Sequence, residues 1–168
     1  PSLFLLYSTP PLVNVFISSN TSEWYGGGMG LIFSNPTLSH VTIANNMANS
    51  GGGMWLGSSN PTLTHVIIAN NTSEWYGGGM KLQSSNPTLT HVTIANNTAE
   101  RGGGMFLSNS NPTLTHVTIA NNIAQFGGGM CLLSSNPTRT LYHSRDNKST
   151  YGCRLVVLWS NPTLTPYP

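Results

Sequence analysis

Residues 51–76 read Gly-Gly-Gly-Met-Trp-Leu-Gly-Ser-Ser-Asn-Pro-Thr-Leu-Thr-His-Val-Ile-Ile-Ala-Asn-Asn-Thr-Ser-Glu-Trp-Tyr, and residue 77 begins the same phrase again. Outward from this unit, Gly-Gly-Gly-Met recurs with its methionine at Met29, Met54, Met80, Met105 and Met130. Asn-Pro-Thr recurs with proline at Pro36, Pro61, Pro87, Pro112, Pro137 and Pro162, and Pro10 fills the same slot. Successive prolines lie 26, 25, 26, 25, 25 and 25 residues apart. Residues 1–168 thus form a single run of about six and a half units. The first is degenerate, with Leu3-Phe4-Leu5 where Met54-Trp55-Leu56 stands later. A fixed period of this length marks a solenoid, in which each unit buries its inner face only by stacking on the next.

Within the unit, Met54-Trp55-Leu56 alternates at a period of two, a strand signal. Leu63 lies between Thr62 and Thr64, one side chain inward between two outward. Val66 and Ile68 alternate in the opposite parity, so the chain must bend near His65. Gly-Gly-Gly supplies a second corner, because residues without Cβ tolerate positive φ. Ser-Ser-Asn-Pro supplies a third, since proline interrupts sheet pairing. Three strands and three corners predict a triangular coil. Helical solenoids are excluded by three glycines, a proline and many β-branched residues per unit, and the spaced leucines of a leucine-rich repeat are absent. The expected fold is all-β: a right-handed, single-stranded parallel β-helix of about 25-residue coils, spaced about 4.8 Å, with a stack about 30 Å long.

Six basic and four acidic residues leave the surface almost uncharged. Arg139, Arg145, Lys148 and Arg154 against Asp146 concentrate positive charge near the C-terminus, and the regular body carries no basic stripe. Nucleic-acid binding is therefore not expected. Cys131 and Cys153 make no disulfide framework, no apolar run is long enough to span a membrane, and no signal peptide is recognisable. Beginning in mid-repeat without Met, the chain reads as a fragment of something longer. Between Arg139 and Leu158 the Gly-Gly-Gly-Met, His and Asn-Asn positions read as lost while the 25-residue step survives. This segment is either a degenerate coil or a compensated pair of frameshifts.

One-unit register turns each repeated residue into a column. Met29, Met54, Met80, Met105 and Met130 form a structural ladder read as flexible core packing rather than a soft-metal site. Asn45, Asn70, Asn96 and Asn121, with Asn46, Asn71, Asn97 and Asn122 beside them, form a double column whose amides can hydrogen-bond in series. His40, His65, His91 and His116 form a near-linear file that ill suits tetrahedral zinc and is read as a corner residue. The glycine triplets lack the Gly-Lys-Ser/Thr of a phosphate loop. No metal site and no cofactor is expected.

No catalytic residue is assigned. Glu23 and Glu74 lie in equivalent turns two coils apart, about 9.6 Å between backbones. That is at the edge of the ~6.5–9.5 Å between carboxyls used by inverting glycosidases. Ser22-Glu23-Trp24-Tyr25 and Ser73-Glu74-Trp75-Tyr76 are the more informative surface feature. Trp24, Tyr25, Trp75 and Tyr76 either face a ligand, stacking on sugar rings or anchoring a protein, or shield the glycine turn. Thr62 and Thr64, Thr88 and Thr90, and Thr113 and Thr115 form two outward files. Such a surface ladder is compatible with ice binding or with ordinary strand preference.

Together, Gly77-Gly78-Gly79-Met80 and Ala95-Asn96-Asn97 resemble the repeats of the pectate-lyase-like parallel β-helix superfamily. They are most similar to those of chlamydial polymorphic outer-membrane proteins and related bacterial surface proteins. The resemblance covers nearly the whole chain except residues 139–158. It implies a non-catalytic segment of a secreted or cell-surface bacterial protein, an adhesin or spacer. Glycan or host-surface protein would be its partner, and its open ends should self-associate. The alternative is a fragment of a polysaccharide-degrading enzyme whose acids lie in other coils. Enzymes of this superfamily use clustered aspartates with Lys or Arg, and this chain's only aspartate is Asp146.

Overall fold

The computed structural model describes residues 3–151 and the backbone of residues 155–158. Its described residues form four parallel sheets and no helix. One coil shows the plan: Met54–Gly57 belongs to sheet I, Thr62–Thr64 to sheet II, Ile67–Ala69 to sheet III and Thr72–Tyr76 to sheet IV. Sheet I has seven strands and the other three have six each. Every strand pairs with its equivalent one coil away, as in Met54↔Met80, Leu63↔Leu89 and Ile68↔Ile94. The parallel solenoid and its one-unit register match the sequence reading.

The coil is four-sided rather than triangular. The side missed from the sequence is sheet IV, and its inward position explains the omission. Ala48, Ser73, Ala99 and Ala124 fill it, all buried but too small to create an apolar alternation. The extra corner lies at Asn45, Asn70, Asn96 and Asn121, where φ is 55 to 57°. Two other corners also turn through the left-handed region, at His40, His65, His91 and His116 (φ 53 to 54°) and at Ser58, Ser84, Asn109 and Ser134 (φ 49 to 51°). At the fourth corner only the first glycine of each triplet has positive φ. The second is needed for close approach: a Cβ on Gly78 would lie 2.5 Å from the carbonyl oxygens of Thr98 and Gly103.

The core is a bundle of columns. Met29, Met54, Met80, Met105 and Met130 are wholly buried on sheet I, beside equally buried leucines on sheets I and II and isoleucines on sheet III. Two polar ladders line the same interior. Asn71 Nδ2 donates to Oδ1 of Asn97 (3.1 Å) and to the Ile43 carbonyl (3.0 Å), and its backbone N–H donates to Asn97 Oδ1 (2.8 Å). The pattern repeats through Asn46, Asn97, Asn122 and Asn147. Ser34, Ser59, Ser85, Ser110 and Ser135 form the second ladder, each hydroxyl accepting from the serine N–H of the preceding coil; Ser59 N–H, for example, donates to Ser85 Oγ (3.0 Å). Both asparagine columns form in register, but only Asn46, Asn71, Asn97 and Asn122 link their amides in series. Asn45, Asn70, Asn96 and Asn121 are the exposed or corner-forming neighbours, stacked through backbone bonds such as Asn45 N–H to Ala69 O.

The coil beginning at Arg139 keeps this frame with altered contents. Arg139 takes the buried leucine position opposite Leu114, and Ser144 the isoleucine position opposite Ile119. Leu141 and Asp146 occupy left-handed corners, and Asn147 continues the amide ladder. The Asn-Asn position read as lost is thus filled by Asp146-Asn147. Residues 152–154 and the side chains of 155–158 lie outside the described residues.

The two asparagine columns should respond differently to substitution. Asn97→Ala strands buried donors and an acceptor and is expected to cost roughly 3 kcal/mol in urea unfolding. Asn96→Ala affects only an exposed left-handed corner, at about 1 kcal/mol. Equal losses would refute the division of roles.

Candidate functional site: the bulged corner between sheets IV and I

Outward side chains decide what this scaffold presents, and one corner differs from the rest. In sheet IV, Thr21–Tyr25 and Thr72–Tyr76 have five residues where Met47–Ser50, Thr98–Arg101 and Ile123–Phe126 have four. Register holds at Thr72↔Met47 and Ser73↔Ala48, then resumes at Tyr76↔Ser50. Glu74 and Trp75 together therefore face Asn49 alone, a β-bulge; Glu23 and Trp24 form its twin. The signal was present in the sequence as the two 26-residue steps, Pro10 to Pro36 and Pro61 to Pro87.

The bulge separates the two aromatic residues that the sequence places together. Trp24 and Trp75 project, 63% and 41% exposed. Tyr25 and Tyr76 instead fold over the glycine corner: Tyr25 stacks on Trp55 with centroids 4.8 Å apart, and Tyr76 packs on Phe106 at 4.7 Å. Phe126 and Tyr151 continue the seam at 5.3 Å. Trp55, although on the outer face of sheet I, is only 8% exposed because Gly57 leaves space for its indole. Tyr76, and Tyr25 although it is 48% exposed, are thus tied across the turn by ring contacts, and Trp24 and Trp75 make no such contact among the described residues.

Two cations lie along this seam. Lys81 Nζ sits 4.9 Å from the Tyr76 ring centre and 5.8 Å from that of Tyr25. Burial pushes its ammonium below the usual lysine range, and the ring faces give the charge a compensating contact. Arg101 lies over Phe126 at 5.4 Å and pairs with Glu100 at 3.3 Å. Between the bulges is a shallow cleft of about 320 Å³. Thr21 and Glu23 line one wall, Thr72 and Glu74 the other, with Met47 and Asn49 in the intervening coil.

The remaining sequence candidates lie elsewhere. The methionine ladder is core. His40, His65, His91 and His116 stack face to face on the corner between sheets II and III, with centroids 4.6 to 5.0 Å apart and planes within 10°. Parallel faces do not converge their nitrogens on one point, and among the described residues no group of three or more His, Cys, Asp or Glu is placed to hold a metal ion. The threonine files form in register: Thr62, Thr88 and Thr113 are exposed, while Thr64, Thr90 and Thr115 are half-buried. No helix among the described residues is long and apolar enough to cross a membrane.

Four sheets in one-unit register define the chain as a parallel β-solenoid whose distinctive surface is a bulged, aromatic corner. It matches the right-handed beta helix region over residues 12–164 and belongs to that family. No curated protein and no solved structure matches the sequence significantly.

Two outcomes follow from this geometry. Tyr76→Ala should lower stability by about 1–2 kcal/mol through loss of the Phe106 and Lys81 contacts. Trp75→Ala should stay within about 0.5 kcal/mol, as at an ordinary exposed position. Thermal or urea unfolding of the two variants checks the division.

Cys131 is nearly fully buried on sheet I, and burial pushes its thiol up to about 11, partly offset by the positive charge of Arg101. Because the fold favours the protonated thiol, this group's stabilisation is complete below its ordinary value of 9.0 and is lost as pH rises towards 11. In a Cys153→Ser background, labelling of the native thiol at pH 8 should be about a hundredfold slower than in the unfolded chain. Equal rates would disprove the burial.

Proposed function

We propose that this chain is a non-catalytic, β-helical binding segment of a secreted or cell-surface bacterial protein. Its role is adhesion, with the coils serving as a rigid spacer and the bulged corner as the contact surface. The observation that carries the reading is the projection of Trp24 and Trp75 from equivalent bulges two coils apart. The solenoid holds the backbones that carry these indoles about 9.6 Å apart. Exposed, rigidly spaced indoles favour flat apolar faces such as those of pyranose rings, so a glycan is the preferred partner over a host protein. The resemblance to the repeats of chlamydial polymorphic outer-membrane proteins supports the surface location. The nearly uncharged exterior suits an extended filament.

Glu23 and Glu74 across one cleft favour a second reading, a polysaccharide-degrading enzyme. Their backbone interval lies at the outer limit of inverting geometry. Release of reducing ends that Glu23→Gln abolishes would establish it in place of binding.

Probing a glycan array with the labelled chain tests the leading reading. The parent should retain pyranose oligosaccharides, and a Trp24→Ala, Trp75→Ala variant should lose about tenfold or more in affinity. A parent that binds no glycan would overturn the proposal.

A further inference from the structure

The cleft between the two bulges has a charge pattern not repeated elsewhere among the described residues. Its walls are the bulged strands Thr21–Tyr25 and Thr72–Tyr76, and between them runs the shorter Met47–Ser50. One residue fewer in the middle strand recesses that coil, so the cleft follows from the alternation of 26- and 25-residue units. Glu23 and Glu74 line opposite walls, with a threonine beside each, and the outward-facing Met47 and Asn49 lie between them. Among the described residues neither glutamate makes an ion pair or a side-chain hydrogen bond. The nearest cations of the corner are otherwise engaged: Arg101 with Glu100, and Lys81 with the faces of Tyr76 and Tyr25.

Two unneutralised carboxylates facing one recess complement a positive charge mounted on an organic body. A bare calcium ion suits the site poorly, because it takes six to eight oxygen ligands in one coordination sphere, whereas the backbones carrying Glu23 and Glu74 lie about 9.6 Å apart with Met47 and Asn49 between them. Each carboxylate also neighbours an exposed tryptophan in its own bulge, and indole is the aromatic face that best attracts an ammonium group. Carboxylate, indole and hydroxyl, repeated at a two-coil interval, can engage a protonated amine, a flat ring face and ring hydroxyls together. We infer that this cleft binds an amino-sugar oligomer through its free, protonated amines, which lie against Glu23 and Glu74 while its rings rest on Trp24 and Trp75.

The inference rests on the glycan-binding reading above and narrows it to one ligand class. Isothermal titration calorimetry of the whole described chain would compare a glucosamine oligomer with its fully N-acetylated counterpart and with an oligolysine of equal charge. The glucosamine oligomer should bind about tenfold more tightly than either. A Glu23→Gln, Glu74→Gln variant should erase that preference, while circular dichroism and melting behaviour stay unchanged because both positions are exposed. Equal affinity for the acetylated oligomer, or an unchanged preference in the variant, would overturn the inference while leaving general glycan binding intact. Oligolysine binding as tight as the amino sugar would overturn the carbohydrate assignment. Absence of binding to both oligosaccharides would overturn this inference, and the glycan array would decide the broader reading.

Discussion

Parallel pairing of each coil with the next, in a register of one unit, is the constraint from which the other features follow. It places each residue of a 25-residue unit against its own equivalent. An inward leucine becomes a dry column, an inward asparagine an amide ladder, an outward threonine a file. A column is tolerable only if the residue is satisfied by a copy of itself. Leucine and methionine meet that condition by packing. Asparagine meets it because each amide is both donor and acceptor, so Nδ2 of one coil serves Oδ1 of the next. A charged residue would fail by self-repulsion, which gives a physical reason for so few charges in the repeats. Arg139 shows how a side chain without that property is accommodated, buried in the leucine column and drawn over Tyr142 at 5.8 Å.

The same constraint sets where specificity can arise. A solenoid of identical coils offers lattices but no enclosed places, and an added residue is the smallest departure that makes one. Here it is confined to sheet IV, whose inner face is built of alanine and serine, so insertion on the outside leaves the large side chains of the core undisturbed. The two bulges flank one unbulged strand and so produce both projection and recess. The glycine corner beside them has no side chains of its own, and Tyr25, Trp55, Tyr76 and Phe106 cover it from either side. Backbone approach too close for any Cβ and aromatic cover above it are two halves of one solution.

Much of this was legible beforehand because periodicity reports register directly. The inward assignments of Leu63, Val66 and Ile68, the burial of the methionines and the bend at His65 follow from alternation and parity, and the bend at the glycines from their tolerance of positive φ. Alternation fails where the inner residue is small. The strand Thr72–Tyr76 was unread for that reason, and with it the extra corner at Asn70. The segment after Arg139 misled in the opposite way: Asp146-Asn147 looks unlike Asn-Asn, but Asp146 turns the corner and Asn147 keeps the ladder.

The sequence by itself determined the parallel stack, its period, its core columns and the position of the extra residue, because each depends on spacing along the chain. Only the tertiary structure decided which member of each adjacent pair does what. Asn45 and Asn46 are neighbours of one type, yet one turns the corner exposed and the other is buried in the ladder. Trp24 and Tyr25 are consecutive aromatics, yet one projects and the other covers glycine. Composition is blind to these differences. They are set by the direction in which a left-handed corner or a bulge aims each Cα–Cβ bond, and by what the next coil has already placed there.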